Sequence, residues 1–426
     1  MKKVFQGFSA LLILLILSMP AQAQTVEERL TALETSMANV ELLSTQLFSL
    51  FSALQPDILA ILNALATQQA EVATLQSDMG DLQTLLAGVS RTGDTLLLTD
   101  MNLQVVSGSG STDGTVNGRG NIIVGYNEDI FPYLGGGLPA SDKTGSHNLI
   151  VGKGLNYSSY GGIVSGIDNI ASERFASLIS GNRNQATAFG ATLLGGQNNT
   201  ASNSYSSISG GRNNTASGIH ATISGGENNA ADGGLSHVSG GSGNDATALY
   251  SSVSGGRDNT ASGDYSSVGG GRDNTASGES SSASGGESNT ASGPESSVSG
   301  GKNNIASADH SSVSGGLNNE ASGTESSVSG GYLNDAIGND SSVLGGFGNS
   351  ATGVNSSVSG GADNIASGGS SSVLGGLENE ASGGSSTVSG GESNTAAGPV
   401  SSVSGGLNRS TATFYDWAAG SLFETN

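Results

Sequence analysis

Ser251-Ser252-Val253-Ser254-Gly255-Gly256-Arg257-Asp258-Asn259-Thr260-Ala261-Ser262-Gly263-Asp264-Tyr265 is one of seventeen units that recur at a period of 15 from Gly161, the last opening near Ser401. The third place is Ile163, Leu178, Leu193, Ile208, Ile223, then Val in every unit from Val238 to Val403 except Ala283. The sixth is Gly in all seventeen, from Gly166 to Gly406. The ninth is Asn in sixteen units, Asn169 through Asn394, and the eleventh is Ala in those same units. Self-similarity at a fixed period marks a repeat architecture. Fifteen residues hold two short strands and two tight turns, with Val253 and Ala261 as small inward side chains. Gly255, Gly256 and Gly263 are placed to supply positive φ, and Asn259 tolerates the left-handed region. Stacked copies of Asn259 can hydrogen-bond from coil to coil. The fold class is therefore an all-β solenoid, a flattened parallel β-roll of 15-residue coils. At about 4.8 Å per coil it extends roughly 80 Å.

So thin a core favours several rolls packed side by side, because one Val-sized side chain per coil offsets little backbone entropy. The fourth place agrees: Val164, Ile179 and Leu194 are apolar near the start, with Leu344 and Leu374 later.

Upstream, residues 26–89 repeat apolar side chains at three, then four. One register sets Leu30, Met37, Ser44, Phe51, Ile58, Leu65, Val72, Met79 and Leu86 at a. Its d positions are Val26, Leu33, Val40, Leu47, Leu54, Ile61, Gln68, Leu75, Leu82 and Val89. Seventeen of these nineteen sites are apolar, which predicts a coiled coil. Leu43, Leu50 and Leu85 at g, with Phe48 and Leu62 at e, widen the seam and favour three or more strands. Pro56 falls at f on the outer face; the alternative is an antiparallel hairpin turning at Gln55-Pro56-Asp57. Gly88, Gly93 and Asp94 end the helical pattern. Leu96-Leu97-Leu98 and Leu103-Gln104-Val105-Val106 then read as short strands. Two related segments, around Ile122 and Ile150, flank an insert at 127–146 that reads as a surface loop.

The start of the chain reads as a secretory signal peptide: Lys2 and Lys3, an apolar run at 8–19, then Pro20-Ala21-Gln22-Ala23. The expected organisation is a signal peptide at 1–23, a coiled-coil stalk at 24–90 and a β-rich transition at 91–160. The β-roll then covers 161–408, and an aromatic C-terminal cap covers 409–426. Four of the twenty aromatics, Phe414, Tyr415, Trp417 and Phe423, lie in that last stretch. No later stretch reads as apolar for long enough to cross a bilayer, so the mature chain is expected to be exported without a span of its own.

The Ser-Val-Ser-Gly and Asn-Thr-Ala-Ser-Gly elements resemble the head repeats of YadA-like trimeric autotransporter adhesins, the Hep/Hag repeats. The resemblance covers residues 161–406, and the preceding heptads look like the stalks of that family. It implies a left-handed parallel β-roll, a homotrimer, and display on a Gram-negative cell surface, with the periplasm as alternative. The implied role is attachment to an unknown surface receptor, matrix or glycan. Three features depart from the family: a period of 15 where 14 is usual, a stalk that precedes the head, and a C-terminal stretch from Phe414 too short for a membrane β-barrel.

The composition excludes much else. There are 14 basic and 36 acidic residues, a formal charge of -22, which repels phosphate backbones and argues against nucleic acid as partner. No cysteine exists to form disulfides or thiolate metal sites. His147, His220, His237 and His310 are scattered and read as surface residues. The nucleophile-elbow context for a serine is missing, and Ser299-Gly300-Gly301-Lys302-Asn303 resembles a phosphate loop only in composition. Asp264, Glu279, Glu295, Asp309, Glu325 and Asp340 alternate between columns fourteen and fifteen, unlike the fixed aspartate column of a calcium β-roll. No catalytic, cofactor-binding or metal residue is assigned. The expected function is a non-enzymatic adhesin-like or structural surface protein. The alternative is a ligand-binding solenoid for a carbohydrate or ice surface.

Overall fold

The computed structural model describes residues 25–79, 90–97, 103–129 and 141–420. The expected signal peptide, the heptad positions from Leu82 to Val89, much of the insert and Phe423 lie outside them. The chain divides into two units, residues 1–103 and 104–426.

Among the described residues of the first unit, one helix, α1 (Val26–Asp78), runs for 53 residues with Pro56 inside it. The hairpin alternative is thereby replaced by a continuous helix; a proline at an outer position costs one i→i−4 bond without breaking the rest. Where its side chains are described, the helix is uncovered. Leu47, Leu50, Phe51, Leu54, Ile58 and Leu65 are all exposed. Against the expectation of no span, Glu41–Leu75 is by length and composition long and apolar enough to cross a membrane. After α1, β1 (Ser90–Thr92) pairs antiparallel with β2 (Thr95–Leu97) around Gly93, whose φ is +59°. Leu103-Gln104-Val105-Val106 forms no strand.

The second unit is a parallel β-solenoid of about 18 turns. Each coil has two short strands. One, such as Ser252–Val253, belongs to a ladder of twenty parallel strands from Ile122–Val124 to Trp417–Ala418. We call it the Val sheet. The other, such as Thr260–Ala261, belongs to a ladder of eighteen, from Asn156–Tyr157 to Ser410–Thr411, the Ala sheet. Partners lie one coil apart: Val253 faces Val238 and Val268, and Ala261 faces Ala246 and Ala276. Between the sheets Val253 and Ala261 are fully buried, as read from the sequence.

Three details of the coil differ from the sequence reading. The left-handed angle falls at Asp258 (φ 57°), one residue before Asn259, and again at Tyr265 (φ 59°). These two residues donate backward, Asp258 N–H to the Ser242 carbonyl at 2.9 Å and Tyr265 N–H to that of Leu249 at 2.8 Å. The strand amides donate forward, as Ser254 does to Val268 at 2.9 Å. Gly256 has the expected positive φ of 89°, but Gly263 does not; its hydrogen is needed because the Gly278 carbonyl of the next coil sits against it. Finally, Val164, not Ile163, pairs with Leu178, so the coil there is 14 residues long, and Ile150 pairs with Val164 at the same spacing. Ile163 therefore points outward and is exposed.

Asparagine ties the coils together. The amide of Asn274 donates to Oδ1 of Asn259 at 3.0 Å, and Asn259 in turn donates to Oδ1 of Asn244 at 3.1 Å. Each Nδ2 also reaches two carbonyls, for Asn259 those of Gly255 (3.0 Å) and Gly271 (3.1 Å). All sixteen asparagines of this column are buried. A dry core tolerates an amide only when its donors and acceptors are met, and here the neighbouring coils meet them. The ladder ends on Leu155 and Tyr157, which take the Asn and Ala places in the first coil and are buried. At the other end Arg409 N–H donates to Asn394 Oδ1 at 2.9 Å, and Thr411 occupies the Ala place. Phe414, Tyr415 and Trp417 are exposed, so they do not plug the core.

Candidate interaction surfaces

A solenoid coil offers four surfaces, set by which columns point out of each strand and which form the turns. The outer face of the Val sheet carries columns two and four. From Ser177 to Ser404 neither column holds an Asp, Glu, Lys or Arg. Column two is Ser or Thr throughout that span except His237; column four is mostly Ser, with Ile179, Leu194, Leu344 and Leu374 exposed among the hydroxyls. The outer face of the Ala sheet differs: Asp232, Asp245, Glu320, Asp335 and Glu380 lie there. Burial, with Asp232 and Asp258 nearby, raises the Asp245 carboxyl above its usual range, and burial with Glu320 nearby does the same for Asp335.

One turn edge holds columns fourteen and fifteen. Near its start Tyr160, Phe175, Phe189 and Tyr205 follow one another edge to face at 5.1–5.8 Å, and His220 stacks on Tyr205 at 4.9 Å. Tyr250 and Tyr265 stack at 5.0 Å. The stacked pairs present their faces to each other, which leaves ring rims outward. Higher up this edge turns acidic. The opposite edge holds columns seven and eight. Arg257 and Arg272 lie 3.5 Å from Asp258 and Asp273 respectively, and Lys302 lies 3.2 Å from Glu287. Exposed pairs of this kind stabilise by well under about 1 kcal/mol each. A shallow groove along Gly196, Gly211, Gly226 and Gly241 runs beside Arg212 and Glu227, which are ion-paired.

The four histidines are held apart in distinct settings. His147 bridges the 107–112 loop, accepting from Ser107 N–H at Nε2 (3.0 Å) with Nδ1 3.2 Å from the Thr112 carbonyl. His237 lies between Thr222 Oγ1 (2.6 Å) and Ser239 Oγ (2.9 Å). His310 sits 3.3 Å from Glu295 and 3.7 Å from Asp309. Among the described residues no three His, Cys, Asp or Glu side chains gather as a metal site would require. The acids of columns fourteen and fifteen stand in successive coils along one edge. No family model matches this chain, and none of the curated proteins matches it.

Proposed function

We propose that this is an exported, non-enzymatic surface protein of the YadA-like adhesin type. In it three copies join through an α1 coiled coil, and their solenoids form an attachment head. The observation that supports the reading best is the uncovered stripe on α1. Leu47, Leu50, Phe51, Leu54, Ile58, Ile61 and Leu65 fall on one side of the helix, within about 100° of its circumference. Left in water, that stripe forfeits about 1.5–3 kcal/mol for each large side chain that a partner helix would cover. The charge-free Val-sheet face fits the same reading, since it is where copies of a strongly acidic chain can approach without like-charge repulsion.

A bilayer competes for the same stretch of α1. Insertion would put Ser49, Ser52, Pro56 and Asn63 on the far side, and Asp57 at the margin of the stripe, into hydrocarbon, at about 2.5–3.5 kcal/mol for the aspartate alone at mid-depth. In a bundle those residues face water. Light scattering on the full chain lacking residues 1–23 is expected to give three copies, and Leu54→Glu with Ile61→Glu to give one. A wild-type monomer, or a chain recovered only with detergent or lipid, overturns the reading.

The hydroxyl ranks of column two favour a second reading, in which the Val-sheet face meets an ordered ligand such as ice or a glycan surface. Thermal hysteresis and polysaccharide pull-down, both lost on Ser312→Lys with Ser327→Lys, would support it over the first.

A further inference from the structure

Columns seven and fourteen lie in turns at opposite edges of the coil, with a strand of each sheet between them, and no ion pair joins them within the described chain. The acids of the two columns are nevertheless matched, although Arg212 shares its coil with Ile219, Ile167 with Arg174, and Leu317 and Leu377 with Thr324 and Gly384. Column fourteen of the repeat has three acids, Asp264, Glu279 and Asp309, and each shares its coil with a base in column seven: Arg257, Arg272 and Lys302. Column seven has three acids, Glu227, Glu287 and Glu392, and their coils carry Gly234, Pro294 and Pro399 in column fourteen. The apolar Phe347 and Leu407 share coils with Val354 and Phe414. The matching is confined to column fourteen, since Glu295 in column fifteen shares a coil with Glu287.

Residues that vary together without touching inside one chain can satisfy each other between chains. From this we infer that the column-seven edge of one copy docks on the column-fourteen edge of a second copy at the same height. Parallel copies in register are required, because only then does each coil meet its own number. The contact is heterologous, one edge against the other, and closes into a ring if each copy repeats it. Arg257, Arg272 and Lys302 of one copy then face the acids of the next, and reversed or shifted registers bring like charges together. The inference rests on the self-association proposed above and adds its surface and register.

The chain has no cysteine, so introduced thiols report cleanly. The test is Arg272→Cys with Glu279→Cys in one full-length chain, oxidised or treated with a short bis-maleimide, then run without reductant. Covalent closed oligomers are expected, the largest species giving the number of copies, while either cysteine alone yields none. A shifted pair, Arg272→Cys with Asp309→Cys, is expected to cross-link at least tenfold less. If wild-type and variant chains are multimeric by light scattering but the matched pair gives no more product than the shifted one, the edge contact is wrong and self-association stands. If wild type is monomeric, self-association itself fails.

Discussion

Asn289→Ala removes every side-chain bond that one rung of the asparagine ladder makes. Asn289 Oδ1 accepts from Asn304 N–H at 3.0 Å, and Nδ2 donates to the carbonyls of Gly285 (2.8 Å) and Gly301 (3.0 Å) and to Asn274 Oδ1 (3.1 Å). Alanine leaves the Asn304 N–H buried with no acceptor, at about 1–3 kcal/mol, and forfeits three further bonds at about 1 kcal/mol each. The expected loss is thus roughly 4–6 kcal/mol, felt at the coils on either side because a solenoid is stabilised by nearest-neighbour contacts. Hydrogen exchange resolves this better than a global melt, since local opening need not be two-state. Exchange of the Asn304 amide should accelerate on the order of a thousandfold, as about 1.4 kcal/mol is tenfold in an opening equilibrium. Thr290→Ala is the control: Thr290 stands next in sequence but in an outward column, where another coil already has Ala230. If Asn304 exchanges within threefold of wild type in Asn289→Ala, the ladder is not what holds the coils.

Other substitutions follow the same geometry. Gly256→Ala should disrupt its coil by more than about 2 kcal/mol in denaturant unfolding. Its φ is 89°, and the new Cβ would meet the Gly271 carbonyl oxygen and, at 2.6 Å, Asn259 Nδ2. Ser296→Ala should be neutral or stabilising by thermal melt, because its buried Oγ has no hydrogen-bond partner and Ala176, Ala191 and Ala221 already fill that column. Val400→Gly should stabilise by about 1 kcal/mol, since a β-branched residue there holds φ at 55°. The raised carboxyls of Asp245 and Asp335 make a pH prediction. Their protonated forms suit the fold, so their stabilisation is complete below the unfolded value near 3.9 and is lost as pH rises through the raised folded value. The solenoid's melting temperature should therefore rise between pH 7 and about 4.5, less so in Asp245→Thr with Asp335→Thr; an unchanged slope in that variant refutes the assignment.

Much of the solenoid was legible because its constraints repeat. Val253 and Ala261 recur in columns that only a buried small residue explains, and Asn259 recurs where only a ladder does. The left-handed positions were not legible, because residue type there is nearly free. Asp258, Tyr265 and Val400 all accept φ near 55° with side chains outward, the backward amide bond supporting each. Glycine at column thirteen was assigned to φ when close approach of the next carbonyl requires it. The 14-residue coil stayed hidden because Ile163 and Val164 are both apolar, and only pairing decides which one enters the core. Leu103-Gln104-Val105-Val106 had the composition of a strand but no partner edge. On the surface, composition showed the acids of columns fourteen and fifteen as scattered. Placing both turns at opposite edges brings out that the three acids of column fourteen share their coils with bases of column seven.

Each coil contacts only the coil before and the coil after, and at both ends of the asparagine ladder another residue takes the Asn place, Leu155 and Arg409. Tandem duplication or loss of one coil's coding sequence therefore changes reach by a single step while leaving both termini and every remaining contact intact. Such a gene can lengthen or shorten its product by unequal recombination without passing through a misfolded intermediate, provided that the exchange is in whole coils.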